Sequence, residues 1–195
     1  MGRRSVSIEP SALAQDLWTI GHSTRAIEDF VELLRAHDIR LLADVRGIPY
    51  SRWNPQFNTD TLGKSLEQAG LRYLTFGGLG GRRKARPDSI NVGWQNTSFR
   101  GYADYMQTPP FWQALESLLE LASTTRTAIM CAEAVPWRCH RSLIADALVS
   151  RGWTVRHIFT PGKADPHHLT PFAAISRGTL TYPAPILPNE PLQLF

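Results

Sequence analysis

The segment Thr127–Gly152 gathers most of the reactive chemistry of this chain. Its front, Thr127 to Cys131, has the apolar composition of a buried strand, and its back, Ser142 to Val149, spaces Leu143, Ile144, Ala147 and Leu148 as a helix does. Between them stand both cysteines of the protein, with Glu133, Arg138, His140 and Arg141. Cys139-His140-Arg141-Ser142 is placed to form the first turn of the helix, where free backbone N–H groups and the helix dipole favour an anion. A cysteine there can become a thiolate nucleophile, so Cys139 or Cys131 is a candidate. Arg138 and Arg141 have the planar guanidinium that holds phosphate through two parallel hydrogen bonds.

Further candidates stand where other strands should end. The first delivers His22, Ser23 and Arg25, and the second delivers Asp44, Arg46 and, beyond them, Arg52. His22 or His140 could move a proton, with Asp44 or Glu133 as general base, general acid or orienting partner. The plain alternative is that each carboxylate pairs with a nearby arginine, whose charge lowers its pKa. Cys131 and Arg138 invite comparison with cysteine phosphatases, but the arginine follows the cysteine by seven positions rather than six, with Pro136 between. A metal could draw on Cys131, Cys139, His140 and His22. Cys-x7-Cys-His is not among the usual zinc spacings, so no metal and no cofactor is expected.

These residues need a scaffold that brings strand ends together. Apolar runs predict strands at 18–22, 41–46, 71–76, 127–131 and 154–159, alternating with helices at 26–37, 59–69, 102–122 (turning at Thr108-Pro109-Pro110) and 142–151. Strands apolar on both faces argue for a parallel sheet covered on both sides. The expected fold is a Rossmann-like three-layer α/β sandwich of about five mainly parallel strands. In such a sheet all the strand ends above lie on one edge, over one cleft. The opposite edge, at links such as Ala69-Gly70 and Thr124-Thr125, carries little chemistry.

A single domain is expected over residues 17–181, after an amino-terminal extension (1–16) and before a proline-rich tail (182–195). Residues 77–101 read as a long loop, first glycine-rich, then basic from Arg82 to Arg86, beside Phe76, Trp94, Phe99 and Tyr102. Arginines among aromatics suit a nucleic-acid strand. Gly63-Lys64-Ser65 imitates a phosphate loop, but Asn58 stands where the earlier glycine belongs and the triplet falls inside a helix. The Gly77–Gly81 cluster fails the dinucleotide pattern because Arg83 takes the last glycine position.

The 195 residues carry a net charge of +4, which suits an anionic partner without proving one. Two cysteines cannot make a disulfide scaffold, and no signal peptide or membrane-length apolar run is evident, so a cytoplasmic protein is expected, away from membranes. The leading expectation is an enzyme acting on a phosphate-bearing substrate, nucleic acid or nucleotide, in an Arg/His/Cys-lined cleft. The alternatives are a non-catalytic nucleic-acid-associated module or a sensor using Cys131 and Cys139 as a redox pair. The module would be recruited by the terminal Leu-Gln-Leu-Phe, where Leu192, Leu194 and Phe195 are similar to the peptide by which bacterial repair proteins dock on the sliding clamp. Pro191 stands where that peptide has glutamine.

Several short motifs stand together: Thr19-Ile-Gly-His-Ser-Thr24, Asp44-Val-Arg46 with Pro49 and Ser51-Arg52, Asn54-Pro-Gln-Phe57, Leu79-Gly-Gly-Arg82, Tyr102-Ala-Asp104, Cys131-Ala-Glu133, Cys139-His-Arg141 and Ala145-Asp146. In this set the chain resembles the bacterial family catalogued as domain of unknown function 488. The motifs span roughly residues 17 to 160. The resemblance implies a cytoplasmic α/β domain with the same strand-end cluster. It supplies no reaction.

Overall fold

A computed structural model describes residues 15–185. Strands β1 (Asp16–Gly21), β2 (Leu41–Asp44), β3 (Arg72–Thr75), β4 (Thr127–Cys131), β5 (Thr154–Thr160) and β6 (Lys163–Pro166) form one sheet in the order β3-β2-β4-β1-β5-β6. The first five are parallel. The fold is therefore the three-layer Rossmann-like α/β sandwich expected. Its sixth strand, which the periodicity missed, runs antiparallel to β5 along the edge. It is only four residues long and ends at Pro166, so it carries no apolar period to read. A two-stranded hairpin, β7 (Ala174–Ser176) with β8 (Thr179–Thr181), stands apart from the sheet.

Helices α1 (Ile27–Ala36) and α2 (Thr59–Gln68) cover one face, and α3 (Thr97–Tyr105), α4 (Pro109–Ala122) and α5 (Arg141–Ser150) the other. Strand side chains alternate between the two cores, because successive Cβ atoms point to opposite faces. Trp18, Ile20, Leu42, Ala128 and Met130 join Phe30, Leu34, Leu62 and Leu66 of α1 and α2. Leu17, Ala43, Ile129, Cys131 and Val155 join Leu115, Leu143, Ile144 and Leu148 of α4 and α5.

The loop expected over 77–101 is shorter than read. Helix α3 begins within it, at Thr97, because Asn96 Oδ1 accepts the backbone N–H groups of Ser98 (2.9 Å) and Phe99 (3.3 Å). A short 3-10 turn, Gly77–Leu79, occupies its start. Tyr182, first residue of the proline-rich segment, is fully buried, and its hydroxyl donates to Asp146 Oδ2 at 2.8 Å. The clamp-like residues Leu192, Leu194 and Phe195 lie outside the described residues. Among the described residues no helix is long and apolar enough to cross a membrane.

Candidate active site

Strand β1 ends at Gly21, level with Cys131 at the end of β4. The chain leaving β4 presses on that end so closely that a Cβ on Gly21 would lie 1.8 Å from the Glu133 carbonyl oxygen. The same carbonyl accepts Arg141 Nη2 at 2.6 Å, which ties the loop back to α5. Pro136 then opens a 3-10 turn, Pro136–Arg138, and Cys139 follows in extended conformation (φ −139°, ψ 146°). His140 is already helical (φ −55°, ψ −13°). This switch from extended to helical backbone turns the side chains of Cys139 and His140 toward each other.

His140 is oriented by β2. Its Nε2–H donates to the Val45 carbonyl at 3.0 Å, which leaves Nδ1 with its lone pair free. That atom lies 3.6 Å from Cys139 Sγ and 3.8 Å from Cys131 Sγ. Cys139 Sγ also accepts the backbone N–H of Arg141, at 3.5 Å, from the first turn of α5. The neighbouring Cys131 thiol is the main cause that brings the Cys139 pKa well below the ordinary thiol range, and the Arg141 guanidinium adds to it. The same pairing and burial hold the Cys131 thiol protonated.

The cluster opens into a cleft of about 260 Å³ whose walls include Arg46, Arg82, Ser98, Glu133 and Arg138. Arg82 and Arg138 are exposed and form no ion pair among the described residues. Arg82 sits at φ 61° and Ser23 at φ 51°, in the left-handed region that non-glycine residues seldom adopt. Such conformations concentrate in loops that shape sites.

Other candidate residues go elsewhere. Arg46 donates to Asp44 Oδ1 and Oδ2 through Nε and Nη2 (2.9 and 2.6 Å), and its Nη2 also reaches the Phe57 carbonyl (2.7 Å). Tyr73 completes the shell with a 2.7 Å bond from its hydroxyl to Asp44 Oδ2. Asp44 is thus paired with Arg46, and its carboxylate is fully buried. His22 has both nitrogens engaged: Nδ1–H donates to the Ser23 carbonyl (2.8 Å) and Nε2 accepts Arg46 Nη1 (3.3 Å). Its ring stacks on Phe57 at 4.2 Å. Burial, with Arg46 beside it, lowers its pKa to about 4. Arg25 donates to the Gly21 carbonyl, and Ser23 contributes its backbone rather than its hydroxyl. Arg141 is fully buried; its Nη2 and Nη1 donate to Glu133 O and Thr19 Oγ1, while its Nε is buried without a partner among the described residues. Arg52 is exposed and takes no part in lining the cleft. Glu133 is exposed on the cleft wall and forms no ion pair among the described residues.

Sequence reasoning missed a second polar chain. Arg141 donates to Thr19 Oγ1 (3.4 Å), which bonds His157 Nδ1 (2.8 Å); His157 Nε2 bonds His167 Nδ1 (3.0 Å), and His167 Nε2 bonds Asp146 Oδ1 (2.8 Å). Both imidazoles line a separate hollow of about 650 Å³ with Trp94, Trp137, Phe159 and Phe172. A polar residue on the inward parity of a buried strand, His157 in β5, was the available signal.

A parallel α/β sandwich with a thiol–imidazole cluster and free arginines over the carboxyl edge of its sheet is the class this molecule defines. Residues 26–148 match the family described as Domain of unknown function DUF488, and the chain belongs to that family. No curated protein and no solved structure matches the chain.

Proposed function

We propose that the cleft is the active site of a cytoplasmic enzyme acting on a phosphate-bearing substrate, a nucleotide or a nucleic-acid strand. Arg82 and Arg138 hold the phosphate, because guanidinium groups without carboxylate partners beside a cleft attract that group most strongly. Arg46 lends positive field from the floor while its hydrogen bonds stay with Asp44. Ser98 and Phe99, on the first turn of α3, stand on the same wall and can bond and stack the rest of the ligand. The reaction centre is the Cys131–Cys139–His140 cluster, with His140 Nδ1 as proton acceptor and the sulfurs as the reactive atoms. Two facing free thiols suit a reducing compartment.

One observation carries this reading: two unpaired guanidinium groups and a thiol–imidazole cluster line the same small cleft. The test is a screen of phosphomonoesters, phosphodiesters, nucleotides and single-stranded DNA with the full chain. Turnover should fall to background in Cys139→Ser, while the Arg82→Ala/Arg138→Ala double variant should mainly raise KM. A folded wild-type protein that neither binds nor turns over any of these compounds overturns the proposal.

A further inference from the structure

We infer that Cys131 Sγ, Cys139 Sγ and His140 Nδ1 form a three-ligand site for a divalent transition metal, zinc fitting best, whose fourth position opens into the cleft.

The geometry is the first ground. The three atoms all lie within 4.8 Å of one another. In tetrahedral zinc sites Zn–S is about 2.3 Å and Zn–N about 2.0–2.1 Å, which makes the S···N edge about 3.5–3.6 Å. The two S···N distances are 3.6 and 3.8 Å. A sulfur–imidazole hydrogen bond explains one such approach but not two, since Nδ1 has a single lone pair. Two sulfurs converging on one lone pair form three corners of a coordination tetrahedron.

The surroundings are the second ground. Metal-bound histidines nearly always give their other ring N–H to a carbonyl or carboxylate, which fixes the tautomer. His140 does so through Nε2 and Val45 O at 3.0 Å. Cys139 Sγ receives the Arg141 backbone N–H at 3.5 Å, a bond that supports a thiolate ligand. Two thiolates and one divalent ion sum to zero charge, so the ion would not oppose the neighbouring arginines.

The sequence spacing pointed away from a metal because it measures separation along the chain. Cys131 comes from the end of β4 and Cys139 from the approach to α5, and the backbone switch between Cys139 and His140 lets adjacent residues serve as ligands. Two sulfurs, one imidazole and an open fourth corner are the donor set of a catalytic rather than a structural zinc site. A water or a substrate oxygen would take that corner, facing Arg82 and Arg138. The site does not rest on the substrate proposed above; with a metal bound, Nδ1 and the sulfurs would be ligands, and the metal-held water would take over the roles given to them in the metal-free cluster.

The test uses the full chain, purified under reductant and stripped with chelator. Cobalt(II) titration should give one equivalent of binding with thiolate-to-cobalt charge-transfer absorption and tetrahedral d–d bands, displaced by one equivalent of zinc(II). Cys131→Ser, Cys139→Ser and His140→Ala should each weaken zinc binding by about 100-fold or more, exceeding the loss typical of outer-shell changes. His167→Ala, in the separate hollow, should leave it unchanged. Folded wild-type protein without the charge-transfer band, or a band of undiminished intensity and affinity in Cys139→Ser, overturns the inference. Where a cysteine variant does not fold, wild-type thiol titration decides. One equivalent of zinc should block reaction of both cysteines with a disulfide reagent, and unprotected thiols overturn the site. Phosphoester turnover by folded chain that binds no cobalt overturns this inference alone. Cobalt binding without phosphoester binding or turnover overturns only the proposed function.

Discussion

Asp44 and Cys131 end neighbouring strands but face opposite sides of the sheet. Asp44 pairs with Met130 in the β2–β4 register, so it shares the parity of Met130 and points toward α1 and α2. Cys131, one residue further, points toward α5. A single step along β4 thus separates a closed ion-pair network from an open thiol cleft. The Asp44–Arg46–His22–Tyr73 network has nearly every donor and acceptor engaged inside the protein and braces the strand ends. The thiol–imidazole cluster keeps its reactive atoms at a cavity.

The brace predicts an acid-side loss of stability. The His22 pKa is about 4 in the folded protein, against 6.5 for an unperturbed imidazole. Below pH 6.5 the unfolded chain therefore takes up a proton that folded His22 refuses. Stability falls as pH drops from 6.5 toward 4 and levels off below. At about 1.4 kcal/mol per unit, His22 contributes on the order of 3 kcal/mol across this window. His157, lowered to about 3 by burial and His167, acts in the same direction. Urea midpoints measured from pH 7.5 to 4 should show this slope, and His22→Gln should flatten part of it. An unchanged slope in His22→Gln would show that His22 is not buried as described.

Gly21 is a second structural control point. Any side chain there meets the Glu133 and Ala134 carbonyl oxygens, at 1.8 and 2.9 Å from an added Cβ. Gly21→Ala must push the β4 loop away and break the Arg141–Glu133 bond. The expected cost is about 3 kcal/mol or more, the range of severe overpacking with loss of a buried charged bond. Denaturation midpoints check this. A loss under about 1 kcal/mol would mean that the loop is free to move.

The parallel sheet and its five strands were legible because buried strands and amphipathic helices carry strong periods. Glu133, Arg138, Cys139 and His140 were expected at one sheet edge, and the structure brings them to the walls of one cleft. What periodicity could not show was the depth and direction of each side chain. Arg46 and Arg141 look identical in sequence to Arg138, yet the first is closed by Asp44 and the second by a backbone carbonyl. The orienting acceptor of His140 is the carbonyl of Val45, and a backbone atom leaves no mark in the residue type. The His157–His167–Asp146 chain joins residues from β5, the segment after β6 and α5, a juxtaposition that only the tertiary fold produces.

Arg82 and Arg138 should behave differently from their buried counterparts. Both are exposed and form no ion pair among the described residues, so Arg82→Ala and Arg138→Ala should each change stability by less than about 0.5 kcal/mol. Each should nevertheless weaken binding of inorganic phosphate or a short oligonucleotide, and the double variant should flatten the salt dependence of oligonucleotide binding. Fluorescence anisotropy at several salt concentrations measures both effects. Full binding by the double variant would place the anion site elsewhere.

Gly81 and Gly77 offer a matched comparison, since they lie in the same loop and differ in what an added methyl would meet. A Cβ on Gly77 has nothing within 4 Å, whereas one on Gly81 would lie 2.9 Å from His140 Nδ1 and 3.3 Å from its Cγ. The imidazole cannot simply yield, because Val45 O holds its far side and the Tyr102 ring packs beside it at 5.0 Å. Tyr102 is itself pinned by its hydroxyl bond to the Leu79 carbonyl, 2.7 Å long. Gly77→Ala should therefore be neutral within about 0.5 kcal/mol. Gly81→Ala should cost about 1–3 kcal/mol by overpacking and swing Nδ1 away from both sulfurs. The displaced ring should weaken zinc binding at least about tenfold, as the loss of an orienting contact does. Urea denaturation and zinc titration of the two variants side by side supply the measurement. Equal behaviour of the pair would show that the ring does not sit over Gly81.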